Sequence, residues 1–195
     1  MTYEEFWRPL TAIYERGEAQ AVARLALEQR FGLTWADVLG GAVERLADEE
    51  VHAIWQRLVA GEPVQYVLGE AQFCGRSLHV EKGVLIPRPE TEELCQLIVK
   101  EVKVTPSLSI LDIGTGSGCI AITLAAACPQ AQVRAWDISA QALRIAHENA
   151  KSAHVNVSFE LKDVLSLPSP LPPLQWDIIV SNPPYVCASE RATMA

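Results

Sequence analysis

The chain of 195 residues is 49% hydrophobic and 21% charged, with a formal net charge of −8 and no excess of Gly or Pro, a globular composition. The acidic balance, with pI near 5.0, argues against a broad electrostatic grip on nucleic acid, which needs clustered Lys and Arg to displace counterions. No apolar run approaches the ~18 residues of a bilayer span, and the opening MTYEEFWRPL lacks the basic and apolar regions of a secretory signal, so a soluble, cytoplasmic protein without a membrane partner is expected.

Residues 1–64 read as a small helical bundle. YEEFWRPLTAIYERG ends on Gly17, EAQAVARLALEQRFG on Gly32, TWADVLGG on a glycine pair, and ADEEVHAIWQRLVAG on Gly61 before Pro63. Glycine just past the last periodic residue is a helix stop signal. In the second of these segments Ala21, Val22, Leu25, Ala26 and Gln29 form the expected packing stripe.

From Gln65 the period changes, and short β-prone runs broken by Gly69, Gly75 and Gly83 predict a β-hairpin linker over residues 65–86. ETEELCQLIVKEVK then reads as a helix with Leu94, Leu97, Ile98 and Val102 on one face. Beyond Pro106 strand and helix alternate: LSILDIG, SGCIAITLAAACP, AQVRAWDIS, SAQALRIAHENAKSA, VNVSFELKD, a Pro-rich loop, and WDIIVSNPP. Alternation of this kind predicts an α/β domain with a parallel sheet and crossover helices, here over residues 87–195. The five cysteines (Cys74, Cys95, Cys119, Cys128, Cys187) include no CxxC pair, and no histidine stands at ligand spacing beside them. Reduced thiols and no metal site are expected.

LDIGTGSGCIA places Gly114, Gly116 and Gly118 between a strand and a helix, where backbone amides approach a ligand closely. The spacing G-x-G-x-G differs from the dinucleotide fingerprint. Asp112 lies in the strand that enters this turn, near where a cationic or amino-bearing ligand would sit. Asp137 ends the next strand, where a carboxylate accepts from ribose hydroxyls. Asp163 follows the third strand, where it would accept from an adenine amino group. Three carboxylates at three consecutive strand ends lie on the edge where open α/β sheets bind ligands. This combination resembles class I methyltransferases that use S-adenosyl-L-methionine, whose sulfonium, ribose and adenine suit an acidic edge better than a pyrophosphate would.

The fourth strand delivers Asn182-Pro183-Pro184-Tyr185 to the same edge. A planar amino group has two N–H donors and a delocalised lone pair. The Asn182 side-chain oxygen and the Pro183 carbonyl would accept the two N–H bonds, Pro184 would stiffen the turn, and Tyr185 would lie on the planar face. Such catalysis works by orientation and directed hydrogen bonding. The motif resembles that of methyltransferases acting on amide or exocyclic amino nitrogens, which leaves protein glutamine or a nucleic-acid base as substrate.

PVQYVLGEAQFCG and GVLIPRPETEEL, in the order helical domain, hairpin, PRPETE, DIGTGSGCIA and SNPPY, closely resemble the HemK/PrmC family of release factor glutamine methyltransferases over nearly the whole chain. The resemblance implies N5-methylation of the glutamine in the Gly-Gly-Gln loop of peptide-chain release factors by a monomeric enzyme without direct nucleic-acid contact. It implies a cofactor pocket of Asp112, Gly114, Thr115, Gly116, Gly118, Asp137, Asp163 and Asn182. Asn182, Pro183, Pro184 and Tyr185 would be catalytic, with Asn182, Pro183, Tyr185 and Arg88 meeting substrate. Arg88 and Glu90 would shape the mouth of the site, and the helical domain would receive the release factor. Members of the family continue for several strands past the Asn-Pro-Pro-Tyr turn, whereas this chain stops at Ala195. A methyltransferase domain incomplete at its C-terminus, and weak activity of the 195-residue chain by itself, are therefore expected. The rival readings are an adenine N6 methyltransferase and an S-adenosylmethionine-binding fragment without turnover.

Overall fold

The structure, a computed structural model, describes residues 1–46, 48–102, 107–166 and 176–183. Pro184, Tyr185, Cys187 and the Pro-rich loop lie outside the described residues. The chain divides into two compact units, one spanning Met1–Glu70 and the other running from Ala71 onward.

The first unit is helical: α1 (Tyr3–Trp7), α2 (Arg16–Phe31), α3 (Trp35–Leu39), α4 (Asp48–Val59) and α5 (Val64–Leu68), with 3-10 turns at Arg8–Ala12 and Ala42–Arg45. Two capping boxes start helices. Thr2 Oγ1 accepts the Glu5 N–H (3.2 Å) while the Glu5 carboxylate accepts the Thr2 N–H (2.8 Å), and Thr34 and Asp37 do the same at 3.2 and 2.9 Å. Phe6, Leu10, Ala19, Ala23, Ala26, Leu27 and Leu58 are closed to solvent and form the core.

Several expectations for this unit are corrected. Gly17 stops nothing: it is the second residue of α2. The break falls earlier, where Pro9 lacks an N–H and the chain tightens into the 3-10 turn with Ile13 N–H bonded to Leu10 O (3.0 Å). On α2 the buried residues are Ala19, Ala23, Ala26 and Leu27, whereas Ala21 and Gln29 are exposed. The stripe is rotated toward the small alanines, which let neighbouring helices approach closely. Gly32 does end α2, in the left-handed region at φ 65°. The start of the segment expected as a hairpin is instead α5, closed by left-handed Gly69 at φ 78°.

The second unit begins with the hairpin of β1 (Glu70–Phe73) and β2 (Arg76–His79), followed by α6 (Pro89–Val102). Strands β3 (Ser109–Ile113), β4 (Gln132–Asp137), β5 (Ser158–Leu161) and β6 (Ile178–Ser181) alternate with α7 (Cys119–Ala127) and α8 (Ala140–Ser152). The four strands form one parallel sheet in the order β5-β4-β3-β6. Chain order therefore runs outward from β3 on one side and returns to β6 on the other, and this reversal opens a crevice at the carboxyl ends of β3 and β6. Ile110, Leu111, Ala135, Ile122, Leu124 and Ile145 are fully buried. On α6 Thr91 and Cys95 are buried and Leu94, Ile98 and Val102 pack partly buried against the core, whereas Leu97, expected on the same face, is 57% exposed.

Candidate functional site

The register brings the strand ends level. Ile113 pairs with Trp136 on one side and with Ser181 on the other, and Asp137 pairs with Leu161. The glycine turn after β3, Asp137 at the end of β4, Asp163 after β5 and Asn182 after β6 therefore share one edge.

The glycine turn has two layers. Gly114 and Gly116 reach the surface, while Asp112, Thr115, Ser117 and Gly118 are buried. All three glycines are left-handed, at φ 73°, 56° and 82°, a region that side chains rarely adopt. A Cβ at Gly114 or Gly116 would stand in open space, but at Gly118 it would stand 2.9 Å from Ile122 Cδ1 and 3.0 Å from Ala146 Cβ. Gly118 thus serves the packing of α7 on α8, and only Gly114 and Gly116 leave room for a ligand over the backbone. Both of their amides are engaged within the protein: the Gly114 N–H donates to Trp136 O at 2.8 Å and the Gly116 N–H to Asp137 Oδ2 at 2.9 Å.

Asp112 is 1% exposed and works from beneath the turn, its Oδ2 accepting the Thr115 hydroxyl at 2.7 Å. Oδ1 is buried without a hydrogen-bond partner among the described residues. Burial pushes this carboxyl up to about 6, against the Thr115 hydroxyl and the Ala121 amide, with the charge of Asp137 adding to the rise. Asp137 is half-buried, and its two oxygens accept the N–H groups of Gly116 and Ser139, each at 2.9 Å. Ser139 Oγ in turn caps α8 by accepting the Ala142 N–H at 3.2 Å. Beside them Ile138 is 71% exposed, an apolar face at a polar edge. Asp163 folds its oxygens onto Ser166 Oγ (2.6 Å) and the Leu165 N–H (2.9 Å), bonds that hold it below the usual carboxylate range.

Asn182 Nδ2 donates to Thr91 Oγ1 at 3.0 Å. The preceding residue is tied to β3 by the Ser181 hydroxyl, which donates to Ile113 O at 2.7 Å. Pro183 is exposed. In the PRPETE segment the contacts fall on Thr91 and on Glu92, whose Oε1 accepts the Cys74 N–H at 2.8 Å. Arg88 and Glu90 are exposed, and the Arg88 carbonyl accepts the Thr91 N–H at 3.0 Å.

One buried residue escaped the sequence reading. Asn149 of α8, 3% exposed, accepts the His79 N–H (2.7 Å) and donates to His79 O and Ser117 O (both 2.9 Å). It ties the hairpin exit to the glycine turn. A lone asparagine in line with Ala142, Ile145 and Ala146 was the available signal.

The methyltransferase small domain family matches residues 88–195, and the PrmC N-terminal domain family matches residues 10–69. Proteins named release factor glutamine methyltransferase match along most of the chain. That of Bacteroides thetaiotaomicron is 44% identical over 95% of this chain and 66% of its own length. That of Flavobacterium psychrophilum is 39% identical over 96% of this chain and 67% of its own. The chain belongs to the release factor glutamine methyltransferase family. It spans between 54 and 67% of the length of the family members it matches here. Among solved structures, the 16S rRNA N2 G1207 methyltransferase of T. thermophilus superposes with a TM-score of 0.51 at 20% identity, over 61% of this chain and 33% of that one. At that identity the likeness concerns the fold, which is the class I methyltransferase architecture.

Proposed function

We propose that the chain transfers a methyl group from S-adenosyl-L-methionine to the side-chain amide nitrogen of the glutamine in the Gly-Gly-Gln motif of peptide-chain release factors, in the cytoplasm. The observation that carries this reading is the placement of Asn182 level with the glycine turn, at the crevice between β3 and β6. Family membership supports the choice of glutamine over a nucleic-acid base.

The residues fit the cofactor. Open space over Gly114 and Gly116 admits a ligand against the backbone. Asp137 keeps lone pairs for two ribose hydroxyls beside the bonds it already accepts, and Ile138 offers the purine an apolar face. Asp163 would take the adenine amino group. Asp112 and Thr115 brace the turn from below, where a cationic neighbour would favour the ionised carboxylate. When bound, the cofactor supplies an electrophilic methyl group on a sulfonium.

The protein's task is then to present the amide nitrogen. Its lone pair is delocalised into the carbonyl, and it becomes nucleophilic only as the group is turned and its N–H bonds are held. The Asn182 side-chain oxygen and the Pro183 carbonyl would accept those two N–H groups, which would hold the nitrogen in one orientation. Both acceptors strengthen as positive charge develops on nitrogen, so they bind the transition state better than the ground state. Pro184 would limit the turn, Tyr185 would cover the planar face, and Arg88 would meet the substrate. The helical unit, Met1–Glu70, would receive the release factor.

The test is incubation of the chain with a purified release factor and labelled S-adenosyl-L-methionine, followed by mass mapping. Label on the peptide carrying Gly-Gly-Gln is the expected result. Label confined to added nucleic acid, or binding of S-adenosylhomocysteine with no transfer to any acceptor, would replace this reading with one of its rivals.

A further inference from the structure

We infer that Thr91 is a positioning residue that holds the Asn182 side-chain amide at one torsion toward the substrate; the inference rests on the proposed role of Asn182 as the acceptor of a substrate N–H. The last torsion of an asparagine side chain is broad, and an acceptor that swings through it is not held where a substrate N–H can donate.

In the structure Thr91 Oγ1 accepts from Asn182 Nδ2 at 3.0 Å, a contact that limits this torsion. The hydroxyl stands on a fixed support. Thr91 is 6% exposed and is the third residue of α6, which opens on Pro89. Its N–H donates to Arg88 O at 3.0 Å. The next residue, Glu92, holds the first turn of the helix to the hairpin through the Cys74 N–H at 2.8 Å. Asn182 is steadied on its other side by the Ser181–Ile113 bond at 2.7 Å. Thr91 thus links the first turn of α6 to the Asn182 side chain.

A fastening role alone would have a different signature, since loosening α6 would lower stability and cofactor affinity together. The test compares Thr91→Val, which keeps the shape and removes the hydroxyl, with Thr91→Ser, which keeps the hydroxyl. Thr91→Val should lower kcat about 10- to 100-fold, the usual scale for a misplaced reacting group. The KM for release factor and the affinity for S-adenosylhomocysteine should stay within about 2-fold, and Thr91→Ser should recover kcat to within about 3-fold. The side-chain NH2 resonances of Asn182 in a nitrogen-15 spectrum, assigned with Asn182→Ala, should move in the valine variant and return in the serine variant. Wild-type kcat in Thr91→Val, with Asn182→Ala inactive, would overturn the role of Thr91 and leave that of Asn182 standing. Loss of stability and cofactor affinity in Thr91→Val without serine rescue would reduce the contact to fastening and also overturn it. Full activity in Asn182→Ala, or none in the wild-type chain, would remove the acceptor reading and this inference with it.

Discussion

The Asp137 carboxylate holds the Gly116 N–H at 2.9 Å and the Ser139 N–H at the same distance, so one side chain joins the glycine turn to the start of α8. Asp137→Ala removes both acceptors and the partner of the ribose hydroxyls. S-Adenosylhomocysteine affinity measured by calorimetry should fall at least about 10-fold, the scale of one lost charge-assisted pair, with about 1–3 kcal/mol of stability lost in urea. Unchanged affinity would remove Asp137 from the cofactor site.

The glycines of the turn separate by cause. Gly118→Ala adds a methyl group 2.9 Å from Ile122 Cδ1 at a φ of 82°, combining left-handed strain with overpacking for a cost of about 2–4 kcal/mol. Gly114→Ala meets open space and pays only the backbone term of about 1–2 kcal/mol. Thermal or urea unfolding of the two variants should rank them in that order. Cofactor affinity should suffer more than stability only in Gly114→Ala.

Asn149→Ala leaves the His79 N–H, His79 O and Ser117 O without their buried partner. The loss should be about 2–4 kcal/mol, and amide hydrogen exchange should accelerate at His79 and in the glycine turn. Exchange unchanged at both would show that Asn149 does not couple them.

Asp112 carries a pH dependence of definite sign. Its folded-state value is raised by burial to about 6 from the ordinary 3.8, so between these values the folded state binds more protons than the unfolded one. The favourable contribution of the neutral form is complete below pH 3.8 and is lost as pH rises through about 6. Asp112→Asn, neutral throughout, should gain stability relative to wild type by up to about 3 kcal/mol between pH 4 and pH 8, as judged by urea midpoints. Parallel pH profiles for the two proteins would contradict the assignment.

The second unit was legible because its signals are local. Alternating apolar strands and small-residue helices specify a parallel sheet, and strand ends put Asp137, Asp163 and Asn182 on one edge whatever the side chains do next. The first unit was less so. Gly17 carries the composition of a stop signal, yet Pro9 had already broken the ladder. The α2 stripe turns on alanines, which periodicity alone weighs too lightly. Thr91 and Asn149 act on partners 91 and 70 residues away, and no local pattern announces a contact of that separation. Asp112 and Gly118 were read as facing a ligand because the motif is written as one line, whereas folding places its members in a buried and a surface layer.

Asn182 is proposed to hold a substrate amide. The direct measurement is initial-rate methyl transfer to a purified release factor by the wild-type chain and by Asn182→Ala, with S-adenosylhomocysteine binding measured on the same samples. A loss of about 100-fold or more in kcat, the scale for removing one group of a preorganised transition-state site, with cofactor affinity within about 5-fold, is the predicted result. Equal rates in the two proteins would contradict it.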